Sequence, residues 1–382
     1  MTARRRRLPL RLLLTMAAAE MAKPAIGGQA VLEGVMMRSP KSFAIAVRHP
    51  NGSIIVREEA WLSLSTRFPF LKWPLLRGAN MLIESMWNGM SALNFSAEVA
   101  MEAEAERDAK ERQERGEAPV VDEKATSSGS DKSGKLALAI TLATSMLLAI
   151  AIFKGAPHLL TYGLGILLGG EQTALPLDGA LFHLVDGTIK LMMFAGYIYL
   201  IGRLPDVKRL FMYHGAEHMS VHTYEAEEPL DVEHTRVKTT AHPRCGTTLI
   251  LLVIATSILV FVAIIPFVPR VSDSDLIQSL FALGLKIPLM LPVAGLAYEA
   301  QRASAKNPNN ALVKLFIAPG MLMQKLTTRV PGDRELEVAL TALRKTVWRE
   351  EQEKTGLHLA HDARGPVAVE RYQSFDDVLK AA

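Results

Sequence analysis

The chain carries a single cysteine, Cys245, in 382 residues. No intrachain disulfide framework can form, and nothing marks the protein for an oxidising compartment. Aromatic residues are scarce, at 6%, and do not interleave with basic ones, so no surface for stacking nucleic acid is written into the sequence. A dominant charge sign is missing too: 43 Lys and Arg face 39 Asp and Glu, a net +4. What the chain has in quantity is hydrophobic residues, 49% of the total, with a mean hydropathy of +0.17. They gather in blocks between about 136 and 300, whereas 99–135 and 329–382 are strongly charged.

Four of these blocks approach the ~20 apolar residues that cross a hydrocarbon core of ~30 Å. The first runs from Leu136 to Phe153, and the apolar Leu159–Leu168 either prolongs it or dips back into the bilayer. The others are Leu181–Ile201, Thr247–Val268 and Leu276–Tyr298. The third holds no charge, while the second and fourth carry Asp186, Lys190 and Lys286. Asp186 and Lys190, four residues apart, read as a neutralised pair, as a sign that the span starts later, or as part of a proton or ion pathway. The predicted fold class is a mainly α-helical integral membrane protein of about four transmembrane helices, with a small cytoplasmic β-containing N-terminal module.

Orientation follows from Lys and Arg. Between spans one and two there is only Lys154, and between three and four only Arg270. The loop 203–246 holds Arg203, Lys208, Arg209, Arg236, Lys238 and Arg244, and the two ends of the chain are richer still. Both termini and this loop are therefore expected on the cytoplasmic side. The lipid bilayer is the expected partner, and nucleic acid is not.

The rest of the chain divides by composition. Residues 1–22 form a basic and apolar extension that mimics a signal peptide or reflects a start at Met21. Residues 23–98 read as a cytoplasmic module. There, Ala44–Arg48 and Ser53–Arg57 flank a His49-Pro50-Asn51-Gly52 hairpin signal, and Gly27–Arg38 reads as a third strand or turn-flanked segment. Pro74–Glu98 has helical spacing of apolar residues, for a face on the membrane surface or against the spans. Residues 99–135 are charged, then Ser/Gly-rich, and read as a flexible linker. After the membrane domain 136–300, residues 301–382 read as a cytoplasmic helical tail. Its helix 333–352 takes Asp333 as N-cap.

The chemistry concentrates in the cytoplasmic loop. His214-Gly215-Ala216-Glu217-His218 is an H-x-x-E-H pattern. On a helix, His214 and His218 share a face about 6 Å apart along the axis and can reach one ion. Glu217 stands where a general base can act on water at that ion. His222 projects about 80° round from His214 and lies roughly 12 Å further along, so it cannot share the ion with both. Glu225 faces the right way but is farther still. A third ligand must come from elsewhere, and His242-Pro243-Arg244-Cys245 is the nearest source. Glu33, Glu84 and Glu299 are further carboxylates that spacing alone does not place. Each feature has a plainer reading: H-x-x-E-H as a polar helix face, Cys245 as a small buried residue, Glu33 and Glu84 as solvated. Arg38, Arg77 and Arg244 are either anion contacts or ordinary interfacial arginines.

Six segments occur in order: GGQAVLEGVMMRSP, RGANMLIESMWNGMSALNFSAE, FMYHGAEH, HPRCGT, VAGLAYE and PGMLMQKLTTRVPGD. Together they resemble the YqhQ-like family of bacterial multi-pass membrane proteins, a domain of unknown function often labelled a predicted metal-dependent enzyme. The resemblance spans about residues 22–345. It implies a bacterial inner (plasma) membrane location and a site made of His214, Glu217, His218, His242 and Cys245. Glu33, Arg38, Arg77, Glu84 and Glu299 come with it as further motif residues. His234 stands where an amide residue is expected and is not assigned to the site. No substrate comes with the family.

Three functional readings follow. In the first, a divalent metal, expected to be zinc, serves a membrane hydrolase with Glu217 as the catalytic base. In the second, the metal staples the cytoplasmic loop to the N-terminal module of an assembly or scaffold protein. In the third, the cluster loads an ion toward Asp186 and Lys190 in a transporter, with a homo-oligomer supplying the pore.

Overall fold

A computed structural model describes residues 23–115, 132–169, 175–176, 179–269, 271–272, 274–307, 310–354 and 368–381. The expected N-terminal extension and the linker core at 116–131 lie outside the described residues.

Alternating apolar residues at the two ends of the chain build one antiparallel sheet. Its strands are β1 Gly27–Val31, β2 Gly34–Arg38, β3 Ser42–Arg48, β4 Ile54–Ala60 and β5 Ala368–Tyr372, in that spatial order. The segment Gly27–Arg38 is thus two strands, joined by a two-residue turn in which Glu33 takes a positive φ of 52°. The fifth strand is a correction to the all-helical tail. Ala368–Tyr372 pairs with β4 and extends the sheet across more than three hundred residues of intervening chain.

The period-two pattern of the strands serves two cores, because both faces are covered. Met36, Phe43, Ile45, Val47 and Ile55 pack against Ala92, Phe95 and Val99. Those three sit on the long helix α2 (Leu76–Glu114), which follows a short α1 (Leu64–Arg67) and a 3-10 turn. On the opposite face Val35, Met37, Ala46, Ile54 and Val56 meet two more helices. α2 runs well beyond Glu98, into residues expected to be linker. Its Ala/Glu/Arg-rich end has high helix propensity, and Arg107 and Glu111 pair at i,i+4.

Four helical stretches are long and apolar enough to cross a membrane: Ala143–Gly169, Ala180–Ile201, Gly246–Phe267 and Leu280–Ser304. The first comprises part of α3 (Lys132–Ile150), a π-helical turn at Ala151–Gly155, and α4 (Ala156–Gly169). The apolar run after Phe153 therefore prolongs the helix, and Lys154 falls within it rather than in a loop. The second is α5 (Ala180–Ile201), the third is α8 (Gly246–Ile264) with a 3-10 end, and the fourth lies in α9 (Asp275–Lys306). Between the second and third come α6 (Pro205–Glu225) and the short α7 (Val232–Arg236). After α9 come α10 (Ala311–Thr327), α11 (Asp333–Lys354) and α12 (Phe375–Ala381). α8 packs against α5, α9 and α10, and leucines such as Leu147, Leu167 and Leu200 point outward.

α6 and α11 are the two helices on the second sheet face. Tyr213, Ala216 and Met219 of one and Leu336, Leu340 and Leu343 of the other complete its core. The expected cap of α11 shifts by one residue. Gly332 accepts the first helical bond from Leu336 N–H, and Glu335 reaches back to the Gly332 N–H at 2.7 Å. Asp333 instead takes the guanidinium of Arg236 at 2.7 Å.

Candidate metal centre

α6 starts with Pro205 in its first turn, where no N–H is needed, and runs regularly through the H-x-x-E-H segment. The helix is walled in on nearly every side, so His214, Glu217 and His218 are buried, as are His242 and Cys245.

The ring tautomers follow from the partners, because a carbonyl can only accept. His214 Nδ1 donates to Thr327 O at 2.8 Å, and His218 Nδ1 donates to Thr240 O at 2.5 Å. Each ring then turns its Nε2 away from the carbonyl, as the nitrogen that a metal would take on displacing any proton there. His214 Nε2 lies 3.2 Å from Cys245 Sγ, and His218 Nε2 is buried with no hydrogen-bond partner. The ligand atoms of His214, His218 and Cys245 all lie within 4.8 Å of one another. Tetrahedral zinc with bonds of ~2.0–2.3 Å has donor–donor edges of ~3.6 Å, so the triangle is of fitting size. Backbone carbonyls fixing the far nitrogen of each histidine are the usual outer support of such ligands.

Cys245 caps the N-terminus of α8, its sulfur accepting from Thr247 N–H at 3.3 Å. Burial raises the thiol, but His214 and His218 outweigh it and hold Cys245 well below its ordinary value. The thiolate is the form that binds metal. Burial likewise works against a charge on His218, yet Glu217 and Cys245 raise it to about 9. Burial dominates at His242 and lowers it to about 4.

His242, expected as a ligand beside Cys245, stands in an adjoining group with His222 and Glu225, whose ligand atoms also lie within 4.8 Å of each other. That group is less suited to a cation. Arg244 is in direct contact with Glu225, and His222 Nε2 is engaged with Ala241 O at 2.8 Å. The His218 and His242 rings are 5.7 Å apart, and His242 Nε2 is buried without a hydrogen bond. Glu217 lies at the junction, its Oε2 3.4 Å from His218 Nε2. The Glu217 side chain passes so close to β1 that a Cβ on Gly28 would sit 2.7 Å from its Cγ.

The residues that hold the centre together were not marked as site residues by spacing. Gln324 of α10 accepts from His242 N–H and donates to His242 O, each at 2.7 Å. Gln301 of α9 donates to Cys245 O at 2.9 Å. Gly215, between the first histidine and Ala216, lets the segment after α10 lie flat on α6, since a Cβ there would meet Arg329 O at 2.1 Å. Gln324, Thr327 and Arg329 all fall in the PGMLMQKLTTRVPGD segment, which was the only signal of their importance.

The remaining motif residues are ion-pair partners elsewhere. Glu84 is buried and accepts from Ser63 Oγ, Leu64 N, Asn80 Nδ2 and Arg38 Nη1 at 2.7–3.3 Å, joining α2 to β2. Arg77 grips both oxygens of Glu299, joining α2 to α9. Glu33 takes Arg209 at 2.5 Å and Tyr213 Oη at 3.3 Å, joining the β1–β2 turn to α6. With Arg244 on Glu225, all three arginines considered for anions have carboxylate partners. His234 bonds Asp231 at 2.8 Å and lies outside both histidine groups.

The family model described as "Protein of unknown function (DUF1385)" matches residues 73–349. The chain is also 30% identical over 325 residues to the "Uncharacterized protein YqhQ" of Bacillus subtilis (strain 168), an alignment covering 83% of this chain and 90% of that one. No solved structure matches the chain. On the extent of both matches, the chain belongs to the DUF1385 family of YqhQ-like proteins.

Proposed function

We propose that this protein is a multi-pass enzyme of the bacterial inner membrane whose cytoplasmic side carries a metal-dependent hydrolase centre, with zinc as the metal. Four apolar helices support insertion. Residues 170–179 between the first two contain no Lys or Arg, and the turn between the last two has only Arg270. The basic 203–246 loop and both chain ends therefore belong on the cytoplasmic side.

One observation carries the metal reading. Two buried histidines donate their Nδ1 protons to backbone carbonyls and turn their Nε2 atoms toward a thiolate-favouring Cys245. A buried ring nitrogen without a partner, as at His218 Nε2, is costly unless something fills the gap. Three protein donors also leave a place open, as in catalytic rather than closed structural zinc sites. Bound zinc supplies Lewis acidity at neutral pH. Glu217 is placed to take a proton at Oε2, beside His218, and His242 can hold one at Nε2. The buried walls exclude bulk water.

Metal content of the detergent-purified protein tests this. About one zinc per chain in wild type, lost in His214→Ala and kept in Glu217→Gln, is the expected result. Wild type without metal under replete conditions would overturn it.

The burial of all three ligands favours a second reading, a structural staple in an assembly protein. Chelation would then unfold wild type and Glu217→Gln alike. A chelated protein that keeps its thermal transition speaks for the enzyme.

A further inference from the structure

A second cluster of ionisable groups sits inside the apolar helices, remote in sequence from the metal centre. Lys190 bonds Asp186 at 3.1 Å one turn away on α5. The ammoniums of Lys154 and Lys286 stand 5.9 and 5.3 Å from the centre of one ring, Phe261 on α8. Both interact electrostatically with Asp186 and Lys190, as does His183 with Lys286 and Asp186. Asp186, His183 and Lys286 are each more than nine-tenths buried. Asp186 Oδ1 and both ring nitrogens of His183 are buried without hydrogen-bond partners. Lys154 also occupies the π-helical turn Ala151–Gly155, an irregularity that recurs at functional sites.

Charge counting gives the ligand. Three lysines and one carboxylate leave two positive charges among the described residues of the cluster, at about 9 Å or more from the helix ends that face away from the metal centre. Burying ammonium groups without anions costs more than a shared aromatic ring returns. A dianion would balance the two, and His183 has a ring N–H free to donate. Resting on the reading of these helices as membrane spans, we propose that Lys154, Lys190, Lys286, His183 and Asp186 form an intramembrane site for a phosphate-class dianion. The phosphate is either free or the phosphomonoester headgroup of a lipid.

The test uses full-length protein in detergent, thermally unfolded in inorganic phosphate or in chloride at equal ionic strength. A parallel arm uses nanodiscs of phosphatidylcholine with or without phosphatidic acid. A rise in Tm of several degrees with phosphate identifies the free anion, and a rise only with phosphatidic acid identifies the lipid. Lys286→Met and Lys154→Met should each lose most of the shift. Asp186→Asn, which removes the competing carboxylate, should need about tenfold less phosphate. His214→Ala should respond like wild type, which separates this site from phosphate binding at the metal centre. Wild type that shifts no more in phosphate or phosphatidic acid than in the controls overturns the proposal. So does a shift that survives in every lysine variant that folds. Extraction of the protein from membranes by alkaline carbonate would sink the membrane reading itself, a result independent of the anion assay.

Discussion

At the scale of single residues, the centre is unusual in having one sulfur and no spare. Cys245 is buried beside the His214 and His218 imidazoles, so thiol titration would report directly on a metal held there. Metal-loaded protein is expected to resist a thiol reagent at neutral pH, and chelated protein to expose one reactive thiol per chain. Gln324 offers a second test. It pairs both backbone polar groups of His242, and Gln324→Ala leaves the His242 N–H buried and unmet, while the carbonyl keeps the Cys245 N–H at 3.3 Å. A loss of about 2–3 kcal/mol in unfolding free energy is expected, with weaker metal retention. His214, Glu217, His218 and Cys245 were legible because side-chain type and helical spacing advertise them. The carbonyls of Thr327 and Thr240 were not, since every residue has one and only tertiary structure aims it.

Among elements, α6 and α11 determine what the centre can do, because the sheet and the 327–329 segment press α6 from two sides. Gly215→Ala would force the Arg329 carbonyl away without touching a ligand. It is expected to cost about 1–3 kcal/mol and to lower zinc stoichiometry, readable by elemental analysis. α11 is tied to the sheet by Lys345, which meets Glu58 at 3.6 Å and Glu370 at 2.6 Å. Burial raises Glu58, with Lys345 opposing. A carboxyl whose folded pKa is raised binds more protons when folded, so its contribution to stability falls as pH rises through that value. Lys345→Met removes the opposing charge. The variant should lose about 3–5 kcal/mol at mildly alkaline pH and visibly less near pH 5, measured by denaturant unfolding. At this scale the strands β3 and β4 and the four apolar helices could be read from period and hydropathy. The continuation of α2 could not, because a charged Ala/Glu/Arg run suits a solvated helix and a linker equally well.

For the whole molecule, the informative fact is that the sheet takes strands from both chain ends. A chain ending at residue 354 keeps α11 but leaves the β4 edge unpaired. Hydrogen exchange should show faster amide exchange in β4 of that truncation, with aggregation where the open edge pairs with another copy. Labelling with an impermeant maleimide, through cysteines placed singly in 170–179 and in 374–381, should mark the first set from outside and the second only after permeabilisation. The apolar helices were visible because each is a long and strongly apolar stretch of sequence. The meeting of the ends was not, because β5 is five residues within a polar tail. Ser39 bonds Glu350 across 311 residues of sequence. At about 5–20 residues per second of synthesis, the first strands leave the ribosome roughly 15–60 s before their covering helix exists. During that wait the four apolar helices are made beside an unfinished sheet. Covering of the second sheet face by α11, and of the β4 edge by β5, therefore comes late in synthesis, after the segments that carry His214, His218 and Cys245 have been made.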